Sequence, residues 1–284
     1  MHKLITAFKK NKIKYGFNII VSFIYIVPFI WALSTSLKIP QKIAELPPNW
    51  IPENISFRNY KMIWSINDNI FIKYFFNSVF VTLFTVVSIV ILASLAGYGF
   101  SKLNIPFKNF IFILILASLM IPFHALLVPL YSIMKDFSIL NTRLSLIIIY
   151  VTFRMPFGIF MMRNSFDSIP DSIRESALID GASEFKTFSK ILLPLTFPGL
   201  ATTAIYAAYM TWNDFIIALI FTTSNDMRTL TVGLSNLAVG QYGTSWGLLT
   251  SGAIISFIPM ILLYVFLQKY FINRFTIRAV NTYV

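Results

Sequence analysis

The sequence of 284 residues contains no cysteine and only two histidines, His2 and His124. The absence of cysteine excludes disulfide bonds, thiol nucleophiles and cysteine metal ligands, and two histidines are too few for a histidine-based metal cluster. Charged residues are scarce as well, at 12% of the chain, about half of the share in a typical soluble domain. Too few polar side chains therefore remain to cover a soluble domain of this length.

Sequence signatures of an enzyme are also missing. No glycine is followed by lysine, so the chain lacks the P-loop that holds a nucleotide phosphate. The fragment Gly97-Tyr98-Gly99 does not extend into a dinucleotide-binding fingerprint. We therefore predict no catalytic residue, no metal site and no cofactor bound by this chain.

Long uncharged apolar runs dominate what is present, and the mean hydropathy is +0.73. A helix needs about 20 mostly apolar residues to cross the hydrocarbon core of a bilayer. The runs predict six membrane spans in one transmembrane domain over residues 1–284, and thus an all-α polytopic fold. The predicted spans cover about 15–37, 75–100, 109–134, 144–163, 197–221 and 248–271.

The net charge of +12 suggests either nucleic-acid binding or the lysine and arginine excess of cytoplasmic loops. With the N-terminus inside, 14 of the 23 Lys and Arg residues fall on the cytoplasmic side and eight on the outside. This asymmetry favours a multi-pass membrane protein with both termini cytoplasmic and no nucleic-acid partner. The abundance of Phe, Ile, Lys and Asn suggests a prokaryotic source, and thus a prokaryotic cell membrane. A short interfacial helix is expected outside the membrane, from about Phe57.

Two charged residues lie inside predicted spans, where ionisable groups are costly and often functional. Arg154 is near the middle of span four, and Asp214 is about 10 Å away in depth on span five, so a direct ion pair is not expected. Arg154 either binds a neighbouring helix or carbonyl group, or faces a polar passage. Asp214 is either an interfacial carboxylate or part of the same passage.

Aromatic and amide groups on span five are candidates for contact with a solute. Tyr206, Tyr209, Trp212 and Asn213 could stack on a sugar and hydrogen-bond to it, or form the aromatic belt of a membrane interface. Prolines inside or at the start of spans favour a transport pathway over a passive anchor, because they free backbone groups that a cavity can satisfy. They are Pro122, Pro129, Pro156, Pro198 and Pro259.

A polar insert at about 164–195 separates spans four and five. Its apolar residues recur at helical spacing, which predicts a short amphipathic helix with Asp171 as N-cap, an interruption near Gly181, and an end at Pro194. Such a helix either docks against a partner or lies on lipid headgroups.

The spacing of this insert resembles the EAA loop of ABC importer permeases. The matching positions are Glu175, Ala177, Gly181, Ile191, Leu193 and Pro194, with Ser176 in place of the usual alanine. Asn77-Ser78 and Trp212-Asn213-Asp214-Phe215 resemble the carbohydrate-uptake branch, which contains the maltose-type permeases. The tail from Arg274 to Asn281 departs from the glycine-rich pattern of that branch.

The resemblance implies a type I importer permease fold and a division of labour. A second permease completes the pathway, two ATPase subunits use ATP, and an extracellular solute-binding protein delivers a sugar. The insert would be a coupling helix in an ATPase groove, with charge from Glu175 and Asp180 and with Phe185 and Phe188 as buried anchors. The predicted coupling residues are Glu175, Ala177, Asp180, Gly181, Ala182, Phe185, Phe188, Ile191 and Pro194, and the predicted pathway residues are Arg154, Tyr209, Trp212, Asn213 and Asp214.

Three other functions stay open at this point. The charges at Arg154 and Asp214 are also compatible with a secondary transporter driven by an ion gradient. An ABC permease for a glycerol-phosphate-type or polyol solute would have the same loop. A membrane anchor without a solute path would have the same spans.

Overall fold

The computed structural model describes residues 12–39, 49–240 and 243–281, and its regular structure is almost entirely helical. Two 3₁₀ turns, Ser118–Met120 and Asn225–Met227, and two antiparallel two-residue strands, β1 (Val239–Gly240) and β2 (Gly243–Thr244), accompany the helices. In chain order the helices are α1 (Lys12–Ser36), α2 (Arg58–Ser65), α3 (Ile70–Lys102), α4 (Lys108–Ala117), α5 (Phe123–Asp136), α6 (Arg143–Asp167), α7 (Asp171–Ile179), α8 (Glu184–Leu195), α9 (Phe197–Trp212), α10 (Ile216–Phe221), α11 (Leu230–Ala238) and α12 (Trp246–Asn281).

Within the described residues, four continuous helices are long and apolar enough to cross a membrane. They are Lys14–Ser36, Ile70–Lys102, Arg143–Asp167 and Trp246–Gln268, and the number rises to six if each of two bent helix pairs is one span. The all-α fold class is therefore confirmed, with four to six candidate spans against the six predicted. The placement of both termini in the cytoplasm stays a prediction, and residues 1–11, which supply much of the charge asymmetry behind it, lie outside the described part of the chain.

The third predicted span is broken in the middle. The segments Lys108–Met120 and Phe123–Asp136 meet at an angle of 97°, with Ile121 and Pro122 in extended conformations between them. A proline disfavours the helical conformation of the residue before it, which places the break at Ile121. Pro129, by contrast, lies inside α5 without ending it.

The entry to the fifth span is also bent. Glu184–Leu195 and Phe197–Trp212 meet at 78°, and Pro198 occupies the first turn of α9, where its missing N–H costs nothing. Pro194 was predicted to end the insert, but it lies within the last turn of α8. Residues 187–192, which end two positions before Pro194, form a π-helix. Its wider turn leaves room for a proline ring that would collide with an ordinary α-helical carbonyl.

Contacts divide the chain into two units, and one of them consists of Met1–Phe71 and Leu234–Phe257. In this unit the short helix predicted from Phe57 is present as α2. The buried amide of Asn59 donates to the carbonyl oxygens of Ser36 and Lys38, at 2.9 and 2.8 Å. These bonds satisfy one carbonyl that the end of α1 leaves free and one in the segment just after it.

The other unit consists of Ile72–Gly233 and Ile258–Val284. Its core is built from α3, α6, α8 and α9, with Ile89, Met162, Phe166, Leu192 and Ala207 among the fully buried or nearly buried side chains. Helices α3 and α6 approach closely at Gly97, where an added Cβ would lie 2.6 Å from the Cβ of Met162. This core fixes the position of the insert relative to the apolar helices of the same unit.

Candidate functional site

The insert is held to the end of α3 by a buried lysine. Lys102, whose side chain is 4% exposed, donates from Nζ to the carbonyl of Ile169 and to Oδ1 of Asp171, both at 2.6 Å. The hydrogen bond from Lys102 lowers the pKa of Asp171 below its ordinary value. Asp171 was predicted to be the N-cap of α7, but the N-cap is Pro170, and Asp171 is the first helical residue.

Helix α7 ends in a Schellman motif centred on Gly181. The amide of Ala182 donates to the carbonyl of Ala177, and the amide of Gly181 donates to that of Leu178, both at 3.0 Å. Gly181 has φ = +81°, a conformation that glycine adopts without the steric cost of a Cβ. The predicted interruption at Gly181 is confirmed, and it is a turn between two short helices.

An ion pair closes this turn from the side. Arg174 on α7 binds Glu184 on α8 through Nε–Oε1 and Nη2–Oε2 hydrogen bonds of 2.9 Å each, and the hydroxyl of Tyr98 on α3 donates to the same Oε1. The hydrogen bond with Glu184 raises the pKa of Arg174 above its ordinary value. These side chains join the insert to α3 a second time, one turn of α3 before Lys102.

Sequence reasoning missed Arg174, Glu184, Tyr98 and Lys102 as functional positions. A signal for the ion pair exists, because opposite charges flank the turn, seven residues before Gly181 and three after it. No sequence signal points to Tyr98 or Lys102, which are distant in sequence.

The two aromatic residues predicted as anchors on the insert differ in their surroundings. Phe185 is 71% exposed. Phe188 is buried against this chain's own Tyr98 and Phe166, with ring centroids 5.0 and 6.1 Å apart. The structure corrects the predicted Phe185/Phe188 contact face, because Phe188 supports α8 from inside and only Phe185 is available to a partner.

The remaining predicted coupling residues fall into two groups. Glu175, Asp180, Gly181 and Pro194 are exposed, whereas Ala177 is buried and Ala182 and Ile191 are partly buried. Ile179, which was not predicted, is 85% exposed at the end of α7. We call the exposed side chains Glu175, Ile179, Asp180 and Phe185 the outer face of the insert. It combines two carboxylates with two large apolar groups.

Arg154 on α6 is buried, with 7% of its surface exposed. Its Nη2 donates to the carbonyl of Met210 on α9 at 2.6 Å. This is the bond to a neighbouring helix that the sequence offered as one of two alternatives. Its guanidinium also lies over the ring of Tyr150, with Cζ 4.2 Å from the centroid. Arg154 lines a cavity of about 590 Å³ between the 3₁₀ turn Ser118–Met120, α5, α6, α9 and α10.

Asp214 lines the same cavity and occupies a break in the fifth predicted span. Its Oδ1 accepts from the amides of Ile217 and Ala218, at 3.0 and 3.2 Å, and so caps α10. The hydroxyl of Tyr150 donates to the same oxygen at 2.9 Å. Tyr150 therefore connects Asp214 to Arg154, and no direct ion pair joins them within the described residues.

The other predicted pathway residues do not gather around this cavity. Tyr209 is 58% exposed, and the side-chain amide of Asn213 donates to the carbonyl of Tyr209 at 2.9 Å. Trp212 is 5% exposed and packs edge-on against Phe75, with centroids 6.0 Å apart. Tyr206, by contrast, does line the cavity.

Comparison with known proteins decides what kind of molecule has this arrangement. Residues 89–277 match the family described as binding-protein-dependent transport system inner membrane component. The chain belongs to this family. The family that the spacing of the insert indicated is thereby confirmed, and this permease is a membrane transport component.

Curated relatives of the permease cover nearly its whole length. It is 37% identical over 259 residues to the probable ABC transporter permease YurM of Bacillus subtilis, covering 88% of this chain and 83% of that one. It is 33% identical to the diacetylchitobiose uptake permease NgcG of Streptomyces coelicolor, covering 90% and 84%. It is 31% identical to the arabinooligosaccharides transport permease AraQ of Bacillus subtilis, covering 93% and 94%.

Solved structures agree with the fold. The permease is similar to a chain in the crystal structure of a bacterial ABC transporter involved in the import of the acidic polysaccharide alginate, with a TM-score of 0.79 and 25% identity. The match covers 92% of this chain and 98% of that chain. This agreement supports the type I importer permease fold that the sequence predicted.

Proposed function

We propose that this permease forms half of the transmembrane pathway of an ATP-driven, binding-protein-dependent importer for a sugar or oligosaccharide. The observation that carries the proposal is the family match over residues 89–277, together with end-to-end relatives named for diacetylchitobiose and arabinooligosaccharides. Membership of this family disfavours the ion-gradient alternative. A second permease, two ATPase subunits and an extracellular solute-binding protein complete the proposed transporter.

The insert is the proposed site of coupling to an ATPase subunit. Its outer face offers Ile179 and Phe185, which are 85% and 71% exposed, together with the exposed carboxylates of Glu175 and Asp180. Apolar side chains of this size in contact with water favour burial in a partner groove. ATP binds to the partner, and this chain supplies the surface that the partner moves.

The same insert is joined to α3 and to the core of its unit. Lys102 and Tyr98 fix it to α3 through charged hydrogen bonds, and Phe188 anchors α8 between α3 and α6. Movement of the outer face would therefore be passed to the spans, because packed cores shift as bodies and do not deform continuously. The insert would therefore act as a lever, in which α7 and α8 move together and displace the spans.

Exchange of Phe185 tests this role directly. The variant Phe185→Ser removes the apolar contact, and the matched control Phe137→Ser alters a side chain that is 73% exposed at the end of α5. Each permease is co-expressed with the other subunits of its transporter, purified, and assayed for retained ATPase subunit. We expect Phe185→Ser to lose most of the ATPase subunit and Phe137→Ser to retain it. Equal retention by both variants would contradict coupling through this face.

A further inference from the structure

Arg154 carries a positive charge in an apolar part of the chain, and its guanidinium has fewer hydrogen-bond acceptors than it has donors. Nη2 donates to Met210, but Nε and Nη1 are buried and have no hydrogen-bond partner within the described residues. A guanidinium has five N–H donors and cannot be deprotonated in a protein, so three of them lie on these two atoms. The ring of Tyr150 offsets part of the charge through its face but accepts none of these hydrogens.

The carboxylate of Asp214 attracts Arg154 through space but does not form an ion pair with it in the described part of the chain. Oδ1 of Asp214 already accepts from Tyr150, Ile217 and Ala218. Asp214 is thus engaged as the cap of α10. A buried charge with unused donors is destabilising unless a partner arrives.

The cavity at Arg154 is large enough for such a partner. Its volume of about 590 Å³ lies within the range of small-molecule sites, roughly 300–1,000 Å³. Its walls are mostly apolar, including Leu119, Phe123 and Phe153, and Tyr206 adds an aromatic surface. In a cavity with apolar walls and one cluster of hydrogen-bond donors, the ligand is selected by the acceptor group that it presents to those donors.

We propose that this cavity is a binding site on the solute path in which Arg154 binds an oxyanion, such as the carboxylate of an acidic sugar. The guanidinium is the protein group best suited to oxyanions, because its planar N–H groups match their oxygens. Tyr206 is placed to contact the sugar ring, as aromatic faces do in such sites. The inference rests on the proposed function, since it assigns the class of solute that the importer carries.

Because the sequence contains no cysteine, a single introduced thiol can be modified without background from other thiols of this chain. Thr152 is exposed and lines the cavity, so Thr152→Cys introduces a single thiol beside Arg154. Its rates of modification by an anionic sulfonatoethyl and a cationic trimethylammonioethyl methanethiosulfonate are measured on the full-length permease in membranes. Phe137→Cys serves as the control position outside the cavity.

The anionic-to-cationic rate ratio is expected to fall on the order of tenfold when Arg154→Gln is added to Thr152→Cys, because one nearby charge acts on the two reagents in opposite directions. Arg154→Lys, which keeps the charge, should preserve most of the ratio, and neither change should alter it at Phe137→Cys. An unchanged ratio with Arg154→Gln, or a thiol at 152 that does not react, overturns the proposal.

Protection by solutes tests the ligand class with Arg154 intact. D-glucuronate should slow the modification of Thr152→Cys, and D-glucose at the same concentration should not. Equal protection by both sugars, or protection by neither, contradicts an oxyanion site. These measurements need no ATP, ATPase subunit or binding protein, so a failure of the proposed import function would be seen separately, in uptake assays.

Discussion

The guanidinium of Arg174 binds the carboxylate of Glu184 through two parallel hydrogen bonds of 2.9 Å, across the turn at Gly181. The two residues stand on different helices of the insert, so their bond sets the angle between α7 and α8. Because Tyr98 donates to the same carboxylate, this angle is also tied to α3. This ion pair is thus one of the contacts that set the geometry of the outer face.

Removal of this ion pair should affect transport more than stability. The two side chains are 23% and 38% exposed, so the pair stabilises the fold by about 1 kcal/mol or less. In Arg174→Met we expect a thermal midpoint within a few degrees of the parent, faster amide exchange at 176–184, and a severalfold loss of uptake. Lys190→Met, on an exposed position of α8, is the control and should transport normally. A parent-like uptake rate for Arg174→Met would show that the ion pair does not hold the lever.

At Gly181 the effect of a substitution should depend on how readily the new residue adopts a positive φ, and not on the size of its side chain. No atom lies within 4 Å of a Cβ built at this position, and φ is +81°, so the cost is conformational, about 1–3 kcal/mol for most residues. Asparagine enters this region more readily than other residues. Uptake is expected to fall in the order Gly181, Gly181→Asn, Gly181→Ala, Gly181→Val. Equal activity of the asparagine and valine variants would argue against a positive-φ requirement.

The close approach of α3 and α6 predicts a contrast between two neighbouring glycines. A Cβ at Gly97 would lie 2.6 Å from Met162 Cβ and 2.8 Å from the backbone nitrogen of Arg163, whereas at Gly99 the nearest atom is 3.4 Å away, at the end of the Ile105 side chain. Gly97→Ala should therefore destabilise the protein by about 1–3 kcal/mol, with Gly99→Ala close to the parent. Thermal unfolding of the purified permease in detergent measures both. Equal midpoints would mean that the helices can separate at no cost.

The carboxylate of Asp214 should be replaceable by an amide but not by a methyl group. Asp214→Asn retains an oxygen that can accept from the amides of Ile217 and Ala218, while Asp214→Ala removes the cap of α10 at a cost of about 0.5–2 kcal/mol. We expect the alanine variant to unfold at a lower temperature than the asparagine variant. If the two midpoints coincide, the capping hydrogen bonds contribute nothing measurable.

The sequence predicted the spans well because their signal is long and local. Lack of charge over 20 or more residues identifies α1, α3 and α12 without tertiary information, and the run in α6 is interrupted only by Arg154. The broken third span was harder: both Pro122 and Pro129 were candidates, and only Pro122 ends a helix. Which proline breaks a helix depends on the contacts around it, which sequence spacing does not contain.

The turn within the insert could be predicted from the sequence, but which face of α8 packs against the rest of the chain could not. Gly181 marks the turn, since glycine is the usual residue at a left-handed helix end. The face of α8 could not be assigned, because a helical wheel shows which side chains share a side and not whether that side meets this chain or a partner. Phe188 illustrates this, as its contacts to Tyr98 and Phe166 come from distant helices.

In the proposed mechanism, ATP drives solute import through this permease by way of the outer face of the insert. The most direct measurement is uptake of labelled diacetylchitobiose, arabinooligosaccharides or alginate oligosaccharides into proteoliposomes that contain the complete transporter. Uptake of at least one of them is expected to require ATP and the binding protein, to collapse in Phe185→Ser, and to persist in Phe137→Ser. Accumulation driven by an ion gradient without ATP, or full uptake by Phe185→Ser, would contradict this mechanism.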